Sequence, residues 1–350
     1  MARILVAIVS VAVVAIAAPS ALAQNTSDLR IRLETGADVP ASGALVALLD
    51  AHDSVVVEGL TGELGTRVLR APPGSYRVRV RRIGFLPFVS PAVSLPHAGE
   101  LVLQVESPRV VLQSIVVNSR SQCKRNDPNA QTLSLVWDEV EKALRSSQIT
   151  TQDLAGVGRA EIFHRSLSED GVELAADTTF FTIGTRRPFA AISSEQLASQ
   201  GYVIGDEHVG WSYFGPDETV LLSDQFAASH CFRLVRDPEH KGEIGVAFEP
   251  SPTHHIPDIT GVLWVDEATS ELREIVFSFA NAGAMSRFNA GGFTHFKRLP
   301  SGAWIVDDWR LRVPTLEMRQ APYAAPHLVR TGYKEDGGRI LAGEGTTGKS

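Results

Sequence analysis

Between residues 260 and 314 the chain reads as two consecutive β-hairpins, and no other stretch constrains the fold as strongly. The four arms are rich in Val, Ile, Phe and Trp, and turn-forming residues separate the paired arms at 266–270 and 299–302. Strict alternation in the last arm predicts that Ile305 and Trp309 share the apolar face of a strand. We therefore expect an antiparallel sheet whose apolar face is covered by a helix, another sheet or a ligand.

One further segment, at residues 131–147, has the periodicity of an amphipathic helix. Its apolar residues form a single stripe at helical spacing, namely Leu133, Val136, Trp137, Val140 and Leu144. The charged residues between 138 and 145 lie off this stripe. We predict that the stripe covers the apolar face of the sheet; the alternative is a helix that binds an external partner.

The bulk properties of the chain exclude one class of partner and indicate export. With a net charge of −7 and no long run of Lys or Arg, the chain lacks the basic surface that nucleic-acid binding requires.

Residues 1–23 have the pattern of a signal peptide, with an apolar run at 4–18 and Ala21-Leu22-Ala23 before the cleavage point. The alternative is an uncleaved anchor, but the run is shorter than the roughly 20 residues of a spanning helix. We expect an exported protein without a transmembrane segment after cleavage.

The two cysteines, Cys123 and Cys231, are expected to form a disulfide, because an exported chain meets an oxidising compartment. Such a bridge would stabilise the fold by about 3–5 kcal/mol. The alternatives are a buried free thiol and a metal ligand next to His230.

A length of 350 residues favours two domains, and residues 28–118 have the pattern of the first. Short runs with strand character alternate there with turns rich in Gly, Pro, Asp and Ser, which is typical of a β-sandwich. Six strands are predicted, at 29–33, 44–49, 55–60, 66–69, 76–82 and 101–105.

The segment Ala71-Pro-Pro-Gly-Ser-Tyr-Arg-Val-Arg-Val-Arg-Arg-Ile-Gly-Phe85 resembles the hallmark of carboxypeptidase-regulatory-like domains. These are transthyretin-like sandwiches that also precede the plug of many TonB-dependent outer-membrane receptors. Residues 112–117 are similar to the segment that ends the domain in those receptors. The resemblance implies a binding or scaffolding module without catalytic residues. We expect the exported protein to lie in the periplasm or at the outer membrane, with an outer-membrane protein as a candidate partner.

Residues 119–342 are predicted to form the second domain, a helix with eight to ten antiparallel strands, before a disordered tail at 343–350. The runs Gly261-Val-Leu-Trp-Val-Asp266 and Leu299-Pro-Ser-Gly-Ala-Trp-Ile305 resemble the half-barrel of periplasmic lipoprotein carriers, whose strands wrap a helix. This resemblance implies a concave apolar surface that holds an acyl chain or a hydrophobic peptide. The predicted fold is thus mainly β: a transthyretin-like sandwich followed by a helix-covered antiparallel half-barrel.

The candidate ligand contacts are aromatic residues of the second domain, and the alternative is that they belong to its core. They are Trp211, Tyr213, Trp264, Trp304 and Trp309.

Catalytic patterns are weak in this sequence, which contains no Gly-x-Ser-x-Gly run. Ser229 and His230 are predicted to point to opposite faces of a strand, as are Asp307 and Asp308, so neither pair acts together. The adjacent His254 and His255 lack the i, i+4 spacing that places two imidazoles on one metal ion.

Two glycine pairs, 291–292 and 337–338, are predicted to lie in turns or bulges, the second inside a last hairpin at 327–342. We expect a non-enzymatic binding or accessory protein of the bacterial cell envelope, without metal or cofactor, that holds a lipid, a hydrophobic peptide or an outer-membrane partner. The alternative is a hydrolase with an unrecognised site around His230, His254 and Asp258.

Overall fold

The fold is mainly β, as the sequence predicts. The computed structural model describes residues 26–36, 38–105, 109–112, 130–154, 158–183, 192–206, 210–288, 290–320 and 325–341. The predicted signal peptide, Cys123 and the predicted tail at 343–350 lie outside these residues. Within the described ranges, no helix is both long enough and apolar enough to cross a membrane.

Two sheets enclose the first hydrophobic core. Their strands are β1 Ser27–Thr35, β2 Val39–Pro40, β3 Leu45–Leu49, β4 Val55–Leu60, β5 Thr66–Ala71, β6 Gly74–Arg81, β7 Phe88–Leu95 and β8 Glu100–Gln104. One sheet has the order β2-β1-β5, with β8 parallel to β1, and the other has the order β4-β3-β6-β7. Alternate residues of β1, such as Leu29 and Ile31, are buried against Val46 of β3. All six predicted strands are present.

Strand β7 was not predicted, because Pro91 and two serines interrupt its apolar alternation. Proline cannot donate to a β-ladder, and it is tolerated here because β7 lies at the edge of its sheet.

The rest of the described chain forms a large sheet with one long helix. The elements are α1 Ala130–Asp153, β9 Arg159–Ser168, β10 Glu173–Thr182, α2 Ser194–Gln200, β11 Val203–Asp206, β12 Gly210–Tyr213, α3 Glu218–Leu221, α4 Asp224–Ser229, β13 His230–Val235, β14 Glu243–Pro250, β15 Asp258–Asp266, β16 Leu272–Ala280, α5 Ala284–Arg287, β17 Gly291–Arg298, β18 Trp304–Arg319 and β19 His327–Leu341. Nine of these strands form one antiparallel sheet, in the order β10-β9-β19-β18-β17-β16-β15-β14-β13. Strands β11 and β12 pair only with each other in the described part of the chain.

Helix α1 covers the inner face of this sheet, which confirms the predicted contact. Val136, Val140 and Leu144 of the apolar stripe are fully buried in a core that includes Trp304 and Trp309. The backbone N–H of Trp304 also donates to Ser146 Oγ at 3.1 Å. The helix runs six residues beyond the predicted end at 147.

A second face of α1 is buried by the N-terminal sandwich. Lys142 is fully buried, and its Nζ donates to the carbonyl of Phe85 at 2.8 Å, to Glu139 at 2.8 Å and to Asp138 at 2.7 Å. Glu139 in turn accepts from the backbone N–H of Gly84 at 2.7 Å. The turn after β6 is therefore joined to the helix by a buried network of charges.

Strand β18 contains a bulge that changes its alternation. Thr294 pairs with Trp309 and Phe296 with Val306, so that two residues of β18 oppose the single residue His295. Trp304 and Trp309 both lie in the core as a result, and the predicted strict alternation is wrong.

The bulge also overturns the prediction that Asp307 and Asp308 point apart. Both carboxylates reach partners on the outer face, because Asp307 contacts Lys297 and Asp308 contacts His295 Nδ1 at 2.9 Å.

The predicted last hairpin is wrong as well, since β19 is continuous and pairs with β18 along its length. Gly337 and Gly338 lie in mid-strand rather than in a turn. A Cβ at Gly337 would lie 2.4 Å from the ring of Phe163, and one at Gly338 would lie 2.5 Å from the ring of Trp309. The glycines allow these rings to approach the strand closely. Gly291 and Gly292 also lie within a strand, β17.

Candidate functional site

An apolar cavity of about 730 Å³ opens at one end of the large sheet. Its walls come from the β11–β12 hairpin, from α5 with the turn before it, and from the paired ends of β18 and β19. The lining residues are Val203, Gly210, Trp211, Tyr213, Pro257, Asn281, Ala282, Gly283, Met285, Pro314, Leu316, Met318 and Leu328. None of these residues carries a charge.

The β11–β12 hairpin is attached to the body of the protein through its flanking residues. The backbone N–H of Tyr202 donates to Pro257 O at 2.8 Å, and that of Phe214 donates to Tyr202 O at 3.0 Å. The ring of Tyr213 packs against Phe279 with 5.9 Å between centroids. Burial raises the pKa of the Tyr213 phenol, so this polar group of the wall stays neutral in ordinary buffers. The hairpin residues that line the cavity are therefore uncharged.

The side-chain amide of the wall has one partner within the protein. Asn281 Nδ2 donates to the backbone carbonyl of His254 at 3.1 Å. Because Asn281 is exposed, the rest of its amide can bind water and does not require a polar group from a ligand.

Three exposed apolar side chains form the opening of the cavity, which we call the cavity mouth. Trp211 is 48% exposed, Met318 54% and Leu328 40%. Met318 and Leu328 are direct cross-strand partners at the ends of β18 and β19. Large apolar side chains grouped in this way at an opening are typical of a binding surface.

The volume and the uncharged lining of the cavity limit the kind of ligand that it can bind. Its volume falls within the roughly 300–1,000 Å³ of small-molecule sites. An ionised group placed inside would lose its hydration without gaining a partner of opposite charge, which is strongly unfavourable. The cavity therefore suits an apolar chain or side chain whose polar part stays outside the mouth.

The five predicted aromatic contacts separate into three environments. Trp211 and Tyr213 line the cavity, whereas Trp304 and Trp309 lie in the core beneath α1. Trp264 is buried under the imidazole of His240, which stacks on it with 3.9 Å between ring centroids. Only the first two are therefore placed to contact a ligand in this cavity.

The unpredicted apolar residues of the cavity include Met285, Leu316, Met318 and Leu328. Leu316 and Met318 lie in β18 beyond Pro314, where no strand was predicted, and Leu328 lies in the segment that was predicted to be a hairpin. The alternation of Leu316 and Met318 with Glu317 and Arg319 is the signal that could have extended the strand.

The structure brings together the residues of the hydrolase alternative. His230 Nε2 lies 3.2 Å from Asp258 Oδ1, and His254 Nε2 lies 3.1 Å from Asp258 Oδ2. Ser229 Oγ lies 3.0 Å from His230 Nδ1, because Ser229 ends helix α4 rather than lying in a strand. The prediction that Ser229 and His230 point to opposite faces of a strand is therefore wrong.

This cluster is nevertheless closed to substrates. His230 Nδ1 also faces the carbonyl of Phe226 at 3.1 Å, and because a carbonyl only accepts, the nitrogen is a donor there rather than a base for Ser229. The adjoining cavity has a volume of only about 10 Å³, which is the space of one water molecule. The geometry favours a structural role for His230 at the corner between α4 and β13.

On the outer face of the sheet, His295 lies between two carboxylates. Its Nε2 is 3.1 Å from Glu274 Oε2 and its Nδ1 is 2.9 Å from Asp308 Oδ1. The hydrogen bond to Glu274, followed by that to Asp308, raises the pKa of His295 to about 9 despite partial burial. The same contact with His295 lowers the pKa of Glu274. Three adjacent strands are thus linked through one imidazolium ion.

Across the described ranges, no three His, Cys, Asp or Glu side chains converge in a way that would hold a metal ion. Cys231 is buried at the start of β13 and is disulfide-bonded. Its predicted partner, Cys123, lies outside the described residues.

No family model, curated protein or solved structure matches this chain. The function is therefore argued from the cavity and its mouth.

Proposed function

We propose that this protein is an exported, non-enzymatic binding protein of the bacterial cell envelope that holds a lipid chain or a hydrophobic peptide side chain in its apolar cavity. The observation that carries the proposal is an uncharged cavity of about 730 Å³ that opens to solvent through an apolar mouth. An acyl chain gains about 0.8 kcal/mol for each methylene that it buries in such a site.

The position of the polar groups supports a ligand with a head group outside the protein. The amide of Asn281 already has a backbone partner, and burial keeps the phenol of Tyr213 neutral. Because the wall presents no charge, the binding energy comes from the chain and not from the head group. The proposed carrier therefore discriminates ligands by the length and shape of their apolar part.

The N-terminal sandwich has a separate part in the proposal, as an accessory module that binds an outer-membrane partner. Its resemblance to carboxypeptidase-regulatory-like domains supports this role. The buried network around Lys142 and Glu139 holds the sandwich on α1, the helix that covers the sheet. A partner bound to the sandwich would thus be held at a fixed place relative to the cavity.

Identification of molecules that co-purify with the gently extracted protein tests the proposal. We expect mass spectrometry to find lipids or hydrophobic peptides on the protein and not on the variant Leu316→Glu, because the new carboxylate would lie in the cavity wall. Val276→Glu is the matched control, since Val276 is exposed on β16 and does not line the cavity. Equal ligand content in the three proteins, or none in any of them, would contradict the proposal.

A further inference from the structure

Strand β10 forms one edge of the nine-stranded sheet. Among the described residues it pairs with β9 on one side and with no strand on the other. Nine of its ten residues are exposed, and they include Leu174 and Phe180, at 68% and 53%. The free side of β10 therefore presents backbone N–H and C=O groups to which a further strand could bind.

The strand at the opposite edge of the sheet, β13, has a different environment. Phe232 of β13 packs against Trp137 of α1 with 5.0 Å between ring centroids, and against Phe226 of α4 with 5.9 Å. His230 and Leu234 of the same strand are buried. Two helices thus pack on β13, whereas β10 is exposed along its length.

The sequence of β10 has few of the features that keep an edge strand from pairing. Natural edge strands are often protected by lysine, by proline or by a bulge. Residues 175–182 contain no lysine, arginine or proline, and they pair with β9 in a regular register, because the bulge of β10 lies before Ala175. Asp177 is the only charged residue of this stretch.

The same stretch is complementary to a second copy of itself. When two copies of one strand pair antiparallel about a two-fold axis normal to the sheet, one residue lies opposite its own copy. An axis at Thr178 gives a threonine pair, which is favourable across strands. Ala176 then lies opposite Phe180, and Ala175 lies opposite Phe181. Each phenylalanine ring therefore has a small side chain beside it.

The charges near this edge favour the same axis. An axis one residue earlier would place Asp177 opposite its own copy, and like charges directly opposite each other are unfavourable. With the axis at Thr178, Glu161 of β9 in one copy comes into the same row as Arg165 of β9 in the other. This row therefore combines opposite charges.

We infer that β10 is an interaction surface for a second copy of this chain, in which the two β10 strands pair antiparallel about an axis at Thr178. The two nine-stranded sheets then form one continuous sheet. Because this pairing uses the same edge of both copies, the symmetry closes at a dimer. No residue of β10 lines the apolar cavity, so the inference is independent of the proposed function.

The mass of the purified full chain in solution tests the inference. Sedimentation velocity should give twice the mass of one chain at high protein concentration, with dissociation on dilution. Thr178→Lys should raise the dissociation constant of the dimer at least about fivefold, because it places two ammonium groups opposite each other. Val276→Lys is the matched control and should leave the constant unchanged, since Val276 is 40% exposed on β16, in the middle of the same sheet.

A disulfide between the two copies would report the register directly. Opposite Cα atoms of an antiparallel pair lie about 4.5–5.5 Å apart, which is within reach of a disulfide. Thr178→Cys should therefore form a covalent dimer when oxidised glutathione accepts the two electrons of the thiol pair. Ala176→Cys, on the same face of β10, is the control, because its two copies would lie about 14 Å apart along the strand.

Three results would overturn the inference. A wild-type chain that stays monomeric would show that a second copy does not occupy this edge. A dimer that Thr178→Lys does not weaken would form through a different surface. Equal cross-linking of Thr178→Cys and Ala176→Cys would show that the two strands do not pair in this register.

Discussion

At the scale of single residues, position relative to the sheet decides what each polar group does. His295 and His230 each lie close to carboxylates, but His295 is half-buried on the outer face and His230 is buried at a corner. His295 bridges Glu274 and Asp308, whereas His230 contacts backbone carbonyls as well as Asp258. The charged His295 therefore links neighbouring strands, and the hydrogen bonds of His230 hold the corner between α4 and β13.

The charge on His295 should make stability depend on pH. Because Glu274 and Asp308 raise its pKa to about 9, the bridge stabilises the fold fully below the ordinary imidazole pKa of about 6.5 and is lost as the pH rises towards 9. The unfolding free energy that His295→Gln removes should therefore be larger near pH 6 than near pH 9.5. Urea titrations at both pH values measure it, and an NMR titration of the imidazole should give a pKa of about 9. An equal loss at the two pH values would show that the bridge does not hold a proton.

At the scale of elements, α1 contacts two partners with two different faces. Its apolar stripe was readable from the sequence, because helical periodicity depends only on the residues of the helix itself. The burial of Glu139 and Lys142 was not readable, because it depends on the turn at Gly84 and Phe85, which lies about 55 positions earlier in the chain. A sequence pattern shows that such charges lie off the stripe, but not which surface covers them.

The predictions for β18 and β19 failed for the same reason, because a local sequence pattern does not show which distant residues pack against a strand. Alternation can be read from one strand alone, whereas the bulge at Asp307 and Asp308, which breaks the alternation of β18, depends on pairing with β17. Gly337 and Gly338 resemble turn residues until the rings of Phe163 and Trp309 are seen beside them. For the cavity, Trp211 and Tyr213 could be proposed from composition, while Met285 and Leu316 come together only through the tertiary fold.

Replacing Lys142, the buried cation between the sandwich and α1, should lower the free energy of unfolding substantially. Lys142→Met leaves Glu139 buried without its partner, which typically destabilises a protein by about 3–5 kcal/mol. Lys297→Met is the matched control, because its pair with Asp307 is solvent-exposed and worth at most about 1 kcal/mol. Denaturant unfolding measures both, and the double variant Glu139→Gln/Lys142→Met should recover part of the loss. If Lys142→Met and Lys297→Met lower the free energy of unfolding equally, the buried ion pair of Lys142 with Glu139 does not stabilise the fold.

At the scale of the whole molecule, the chain combines a small sandwich with an open nine-stranded sheet wrapped on a helix. The inner face of the sheet is largely filled by α1 and the core around Trp304 and Trp309. The apolar space of about 730 Å³ lies at the end of the sheet, between the β11–β12 hairpin, the α5 region and the paired ends of β18 and β19. Val203 and Met285 belong both to the cavity wall and to the core, whereas the exposed side chains of the mouth, Trp211, Met318 and Leu328, lie outside the core. Replacements at the mouth should therefore change ligand binding more than the stability of the core.

The dependence of affinity on chain length tests the central claim most directly. Calorimetric titration with saturated single-chain amphiphiles, below their micelle concentrations, should show binding that strengthens about fourfold for each added methylene, as expected for about 0.8 kcal/mol per buried methylene. The increase should stop once the cavity is full, and exchange of an anionic head group for a cationic one should change the affinity little. Trp211→Ala should weaken binding, while the control Phe180→Ala, at a similarly exposed aromatic residue outside the cavity, should not. Affinity that follows head-group charge and ignores chain length would contradict this account.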